Sequence, residues 1–177
     1  MDTLLIFTDA ATSSEMHFAV GIYLCISTQE LEAYAKYNPE ELYEKINAMA
    51  VYQYYPSKKS TWSEIKVIID SLTFVFKNKS NIDHINIYTD CQSVCDLLGR
   101  RKEHLKKSDF ITRTGKVNQN ADLYKKLFSI AESFHVHTFK MKGHHPKEKR
   151  ITIEDKIFSI IDKLSRKKLR SILTTLS

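Results

Sequence analysis

The stretch Leu4-Leu5-Ile6-Phe7-Thr8-Asp9-Ala10-Ala11-Thr12 constrains this chain more than any other. Leu4 to Phe7 run without a polar break, a pattern that belongs to a strand covered on both faces. A carboxylate then closes the run. A charge at the end of such a strand costs solvation, and an isolated buried carboxylate would take up a proton. Asp9 therefore either caps the next turn or answers to something that needs negative charge. Ile85-Asn86-Ile87-Tyr88-Thr89-Asp90 repeats the arrangement, a β-rich run ending in Thr-Asp before a helix-like segment. If the two strands are parallel and adjacent, both acids reach one sheet edge, where open α/β sheets bind ligands.

Around these runs the remaining elements fall into place. Residues 10–15 are small and polar and predict a turn, after which Met16 to Ile26 is rich in β-formers and should pair antiparallel with the first strand. Gly21 inside that run signals a bulge or a close backbone approach. Asn38-Pro39-Glu40-Glu41 predicts a helix from Pro39 to Ile46, with an N-cap, Pro at the first position and acids in the first turn. Ala48 to Tyr55 is a third strand candidate, its Tyr52, Tyr54 and Tyr55 read as half-buried on a sheet. Ile65, Ile68, Ile69 and Leu72 recur at helical spacing and form a buried stripe. Ser60 or Thr61 followed by Glu64 matches a capping box, so Glu64 has an ordinary helix-cap reading beside any chemical one.

Gln92 to Leu98 predicts a short helix stopped by Gly99, followed by the cationic run Arg100-Arg101-Lys102 and Lys106-Lys107. A loop over 112–120, an amphipathic helix from Ala121 to Ser133 and a last strand from Phe134 to Met141 come next. His135 and His137 read as strand-face residues. A basic, histidine-bearing loop then leads into a helix from about Asp155 to near Leu173. Its core stripe is Ile157, Ile160, Ile161 and Leu164, and its outer face carries Lys163, Arg166, Lys167, Lys168 and Arg170.

With 177 residues, one domain over 1–177 is expected, large enough for a real core. The net charge of +6 suits a polyanionic partner, although charge alone equally describes an ordinary soluble basic protein. The cysteines Cys25, Cys91 and Cys95 make no disulfide framework and fit a reducing compartment. Neither a leader pattern nor a run of about 18 apolar residues is present, so a cytoplasmic chain with no membrane partner is expected.

In this order the motifs resemble the ribonuclease H family. The matching residues are Thr8-Asp9-Ala10, Thr61-x-x-Glu64, Tyr88-Thr89-Asp90-x-x-Ser93-Val94, Met141-Lys142-Gly143-His144 and Asp162-Lys163-Leu164-Ser165-Arg166. The resemblance implies an α/β fold, a mixed five-stranded sheet of order 3-2-1-4-5 with strands 1–3 antiparallel, flanked by helices. It implies an endoribonuclease that cuts the RNA strand of RNA–DNA hybrids with two Mg²⁺ ions, Mn²⁺ being a possible substitute. Asp9, Glu64, Asp90 and Asp162 would be the metal carboxylates, and His144 would assist proton transfer or product release. Arg100, Arg101, Lys142, Arg166, Lys167 and Arg170 would hold the substrate backbones. The carry-over is physically coherent, because converging acids repel and raise each other's pKa unless hard cations neutralise them.

The chain departs from the family in places. Ala10 stands where many members carry glycine, the loop after His144 is long, no separate N-terminal hybrid-binding domain is seen, and residues 27–46 have no counterpart. A catalytically silent module that binds nucleic acid or protein is the alternative reading, and keeping all four acids argues against it. The fourth acid has two candidates. Asp155 and Asp162 are separated by seven positions, roughly 10 Å along a helix, so both cannot serve one compact site. Asp155 sits nearer the loop, where an acid is also a plain helix cap; the Leu164-Ser165-Arg166 context favours Asp162.

Overall fold

The computed structural model describes residues 2–57, 59–143, 146, 148 and 150–176. Its strands are β1 (Asp2–Ser13), β2 (Phe18–Ser27), β3 (Val51–Tyr55), β4 (Ile82–Thr89) and β5 (His135–Lys140). Its helices are α1 (Thr28–Tyr34), α2 (Pro39–Met49), α3 (Ser60–Asn78), α4 (Gln92–Leu98), α5 (Arg101–Lys107), α6 (Ala121–Ala131) and α7 (Ile153–Leu176). The strands form one sheet of order β3-β2-β1-β4-β5. β1 pairs antiparallel with β2 and parallel with β4, β2 pairs antiparallel with β3, and β4 runs parallel to β5. This is the mixed sheet that the family resemblance implies.

Helices cover both faces, which is why Leu4 to Phe7 are all buried. On one face Leu4 and Ile6 of β1 meet the α3 stripe Ile65, Ile68, Ile69 and Leu72, with α6 beyond. On the other, Leu5 and Phe7 meet Tyr34 of α1, Leu42 and Ile46 of α2, and Ile157, Ile161 and Leu164 of α7. Each such side chain contributes about 1.5–3 kcal/mol when fully withdrawn from water. No helix among the described residues is long and apolar enough to cross a membrane.

The first strand overruns its expected end. Residues 10–13 stay in β1 rather than turning, because their pairing with β2 continues to Ser13 opposite Phe18. The pairing with β4 stops earlier, at Phe7 opposite Tyr88. Asp9 therefore lies inside a strand whose neighbour on one side has ended. Residues 28–49 form α1 and α2, inserted between the paired strands β2 and β3, where the sequence predicts only the second helix. Both have capping boxes, Ser27 with Glu30 and Asn38 with Glu41.

Candidate metal centre

Beyond the last β1–β4 pair, four elements bring acids together. Asp9 comes from β1, Asp90 follows β4 directly, Glu64 comes from the second turn of α3 and Asp162 from the middle of α7. Single carboxylate oxygens of Asp9, Glu64 and Asp90 lie within 4.8 Å of one another, the only such group among the described residues. Asp162 joins these three in the lining of one cleft of about 280 Å³, closed by Arg166 and Leu169. Asp9, Glu64 and Asp162 are each less than a tenth exposed.

Gly21 sets how closely α3 approaches. A Cβ there would stand 2.7 Å from the Tyr55 ring and 3.0 Å from Val67, so only glycine admits the helix at this distance. No bulge occurs; the close-approach reading of Gly21 is the one the structure bears out. Glu64 lies just before Val67 on the same helix and reaches Ala10, which is paired with Gly21. The Ala10 amide donates to Glu64 Oε1 at 3.2 Å.

The capping box at Glu64 is not formed. The N-cap of α3 is Lys59, without a side-chain cap bond, so Glu64 sits past the position from which a box closes. Its other oxygen, Oε2, is buried with no hydrogen-bond partner. Burial raises the Glu64 carboxyl well above the usual carboxylate range; Asp9 and Asp90 push it further, and the Ala10 amide and Lys140 oppose them. Burial likewise pushes Asp9 up to about 7, the hydroxyl of Ser165 pulling it down, Asp90 and Asp162 adding to the rise and Arg166 countering.

Three supports around these acids escaped the sequence. Ser165 on α7 donates to Asp9 Oδ2. Lys140, the last residue of β5, donates to the Asp90 carbonyl. Gly143 packs so tightly on Asp90 that a Cβ would collide with its carboxylate. Ser165 could have been found from its place one turn beyond Asp162, and Gly143 from its position in the Met141-Lys142-Gly143 motif.

The cationic candidates scatter. Arg166 is not on an outer face: it donates to Asp162 one turn before it and lines the cleft. Lys167 lies over the Tyr43 ring of α2, 6.0 Å from its centroid. Arg100 pairs with Asp96, and Lys102 and Lys106 pair with Glu132, the residue that follows α6. Arg101, Lys142 and Arg170 are exposed. His144 lies outside the described residues. Asp155 exchanges hydrogen bonds with Thr152 at the start of α7, as a helix cap does. His135 and His137 are exposed on β5, His135 stacking on His84.

Strand order, both helical layers and acids at the carboxyl end of parallel strands define the ribonuclease H fold, and solved structures agree. A crystal structure of LC9-RNase H1, described as a type 1 RNase H with the type 2 active-site motif, matches with TM-score 0.64 at 11% identity, covering 94% of this chain and 70% of that one. The N-terminal RNase H domain of rv2228c from Mycobacterium tuberculosis, solved as a fusion with maltose-binding protein, matches with TM-score 0.60 at 11% identity over 100% of both chains. The solution structure of the PFV RNase H domain matches with TM-score 0.60 at 13% identity, covering 94% and 92%. No family model and no curated protein sequence matches this chain.

Proposed function

We propose that this chain is a divalent-metal-dependent endoribonuclease of the ribonuclease H type, cutting the RNA strand of RNA–DNA hybrids. The observation that carries the reading is Glu64: a buried carboxylate with one oxygen that lacks a partner, grouped with two more acids whose carboxylate oxygens come within 4.8 Å. A carboxylate so placed loses about 1–3 kcal/mol or more for each unmade interaction. A hard cation with oxygen ligands removes that penalty, and an all-carboxylate donor set suits Mg²⁺ or Mn²⁺ better than softer metals.

Asp9, Glu64 and Asp90 would hold the metal, with Asp162 as a fourth carboxylate. Two bound ions would supply an activated water and charge stabilisation on the leaving oxygen. The protein's own part is positional. Ser165 fixes one oxygen of Asp9, the Ala10 amide fixes one oxygen of Glu64, and Arg166 waits beside Asp162 at the cleft wall, where it can turn to a substrate phosphate. Arg100, Arg101, Lys142 and Arg170 would supply further phosphate contacts, and His144 would assist proton transfer or product release. Residues 1–177 act as one domain in this reading, with cytoplasmic residence expected from the cysteines.

Labelled RNA–DNA, RNA–RNA and DNA–DNA duplexes of one sequence, each incubated with Mg²⁺, Mn²⁺ or EDTA, test it. Cleavage of the hybrid's RNA strand alone, abolished by EDTA, is expected. Hybrid binding without cleavage under any metal would instead support the silent module.

A further inference from the structure

A second surface lies away from the acidic cleft, on the seam between the inserted helices and α7. A groove of about 380 Å³ runs there, the size of a small-ligand pocket. Tyr34, Tyr37 and Tyr43 come from the inserted side and Arg150, Lys156 and Lys163 from the α7 side. Tyr34 is buried and forms the floor, and Tyr37 stacks on it with ring centroids 5.7 Å apart while remaining 39% exposed. α1 and α2 carry Glu30, Glu32, Glu40, Glu41 and Glu44, yet no acid is among the groove's lining residues. The acids at 30 and 41 are turned to their own helix N-termini as caps.

The pattern continues past the groove. Lys167 lies over Tyr43 and Lys168 over Tyr52, 5.8 Å from its centroid, and both lysines line a second depression with Asn47 and Leu164. Tyrosine rings and lysine ammonium groups thus share the seam from Tyr37 to Tyr52. Aromatic platforms interleaved with cations recognise single strands, whose bases stack and whose phosphates pair. A duplex offers no unstacked bases to such a surface.

We infer that the α2–α7 seam is an accessory binding track for single-stranded nucleic acid, with a base on Tyr37 and phosphates on Lys156 and Lys163. The track uses none of the four acids. It stands whether or not the protein cuts hybrids.

The test is fluorescence anisotropy of a fluorescein-labelled single strand of about 12 nucleotides, within the span such grooves cover, titrated with the full chain in EDTA. A strand of equal charge whose sugars carry no bases serves as the second probe. Wild type should bind the normal strand more tightly than the abasic one. Tyr37→Ala should weaken the normal strand about five- to tenfold or more and leave the abasic strand unchanged, while Tyr37→Phe, which keeps the ring, should bind as wild type does. Lys156→Glu with Lys163→Glu should weaken both probes. Asp9→Asn should bind like wild type, which separates this site from the cleft. Equal affinity for the two probes, or undiminished binding by Tyr37→Ala and by the lysine pair, would overturn the proposal, the first leaving the seam a plain cationic surface. Loss of the normal strand in Tyr37→Phe as well would assign the tyrosine to folding and also overturn it. An acidic peptide that displaces the normal strand while Tyr37→Ala leaves that strand's affinity intact would make the seam a protein-docking surface instead.

Discussion

Along α7, the side turned to the end of the sheet and the side turned to α2 differ in charge and in burial. Asp162, Ser165, Arg166 and Leu169 recur at three- and four-residue spacing and meet the acidic cleft. Lys156, Lys163 and Lys167 recur at whole-turn spacing about a third of a turn away and meet tyrosines. Summed as a composition, the helix is simply basic. Resolved by its period, it serves an anion-rich site on one side and an anion-seeking surface on the other. Net charge cannot tell which residues line the acidic cleft and which lie against tyrosines, because it discards direction.

The sharpest way to break this division is at its acidic side. Asp9→Asn should lower hybrid cleavage by several kcal/mol of transition-state stabilisation, on the order of a thousandfold, with hybrid affinity retained because that comes largely from phosphates. Single-turnover cleavage alongside equilibrium binding in EDTA reads both. Undiminished turnover at saturating Mg²⁺ would sink the metal-centre reading.

Next in size are the two aspartates on α7. Asp162 lines the cleft and Asp155 bonds Thr152 at the helix start. Asp162→Asn should cost about 100-fold in rate, comparable to removing a strong preorganised group, and should raise the Mg²⁺ needed for half-activity. Asp155→Asn should cost only a cap, about 0.5–2 kcal/mol of stability, with activity nearly intact. The reverse pattern would put the fourth carboxylate in the wrong register.

How much of this was legible beforehand depends on residue chemistry. The sheet order came with the resemblance that the motifs carry; the two apolar runs ending in acids pointed by themselves only to β1 and β4 lying side by side, and the α3 and α7 stripes followed from helical period. The spacing Ser/Thr-x-x-Glu misled in one place and was overlooked in another. At Ser27–Glu30 it is a real capping box that begins α1, whereas at Thr61–Glu64 the helix has already begun at Ser60, so the glutamate is free to turn to β1. The pattern alone does not say where a helix starts. Residues 10–13 looked like a turn because they are small and polar, but ladder pairing with β2 outweighed local preference. α5 was hidden because one buried side chain, Leu105, does not make a visible stripe. The seam was invisible altogether, since its two sides are more than a hundred positions apart.

A smaller effect concerns pH. Asp9 and Glu64 have raised carboxyl pKa values in the metal-free protein, burial being the main cause. For a raised carboxyl the folded state binds the proton more tightly than the unfolded state. The resulting stability is fully present below the unfolded value near 3.8 for Asp9 and is lost as pH rises through about 7. Metal-free protein should therefore melt lower at about pH 8 than at about pH 5, and Mg²⁺ should raise the melting temperature more at the higher pH. Glu64→Gln, which removes the charge that lacks a partner, should raise the metal-free melting temperature at about pH 8 and blunt the response to Mg²⁺. If the metal stabilises the protein equally at both pH values, cation binding is not coupled to these acids.

The smallest effect separates the two sides of α7 by their cations. Removing one cation that pairs with a phosphate should flatten the slope of log affinity against log salt by about 0.9 for a duplex and about 0.7 for a single strand. Arg166 lines the cleft and Arg170, one turn beyond it, is exposed, whereas Lys156 and Lys163 line the groove. Neutralising Arg166 and Arg170 together should flatten the slope for an RNA–DNA hybrid by about one to two and leave the single-strand slope alone. Neutralising Lys156 and Lys163 should do the opposite. Arg166 complicates the first pair, because it also neutralises Asp162 and its loss can disturb the metal site. Measuring binding in EDTA with Arg166→Gln and Arg170→Gln made separately removes that ambiguity: a cation that pairs with phosphate changes the salt slope, whereas a disturbed carboxylate changes the Mg²⁺ requirement for cleavage. If both pairs shift both slopes equally, the two sides of the helix contribute to one continuous field rather than to two sites.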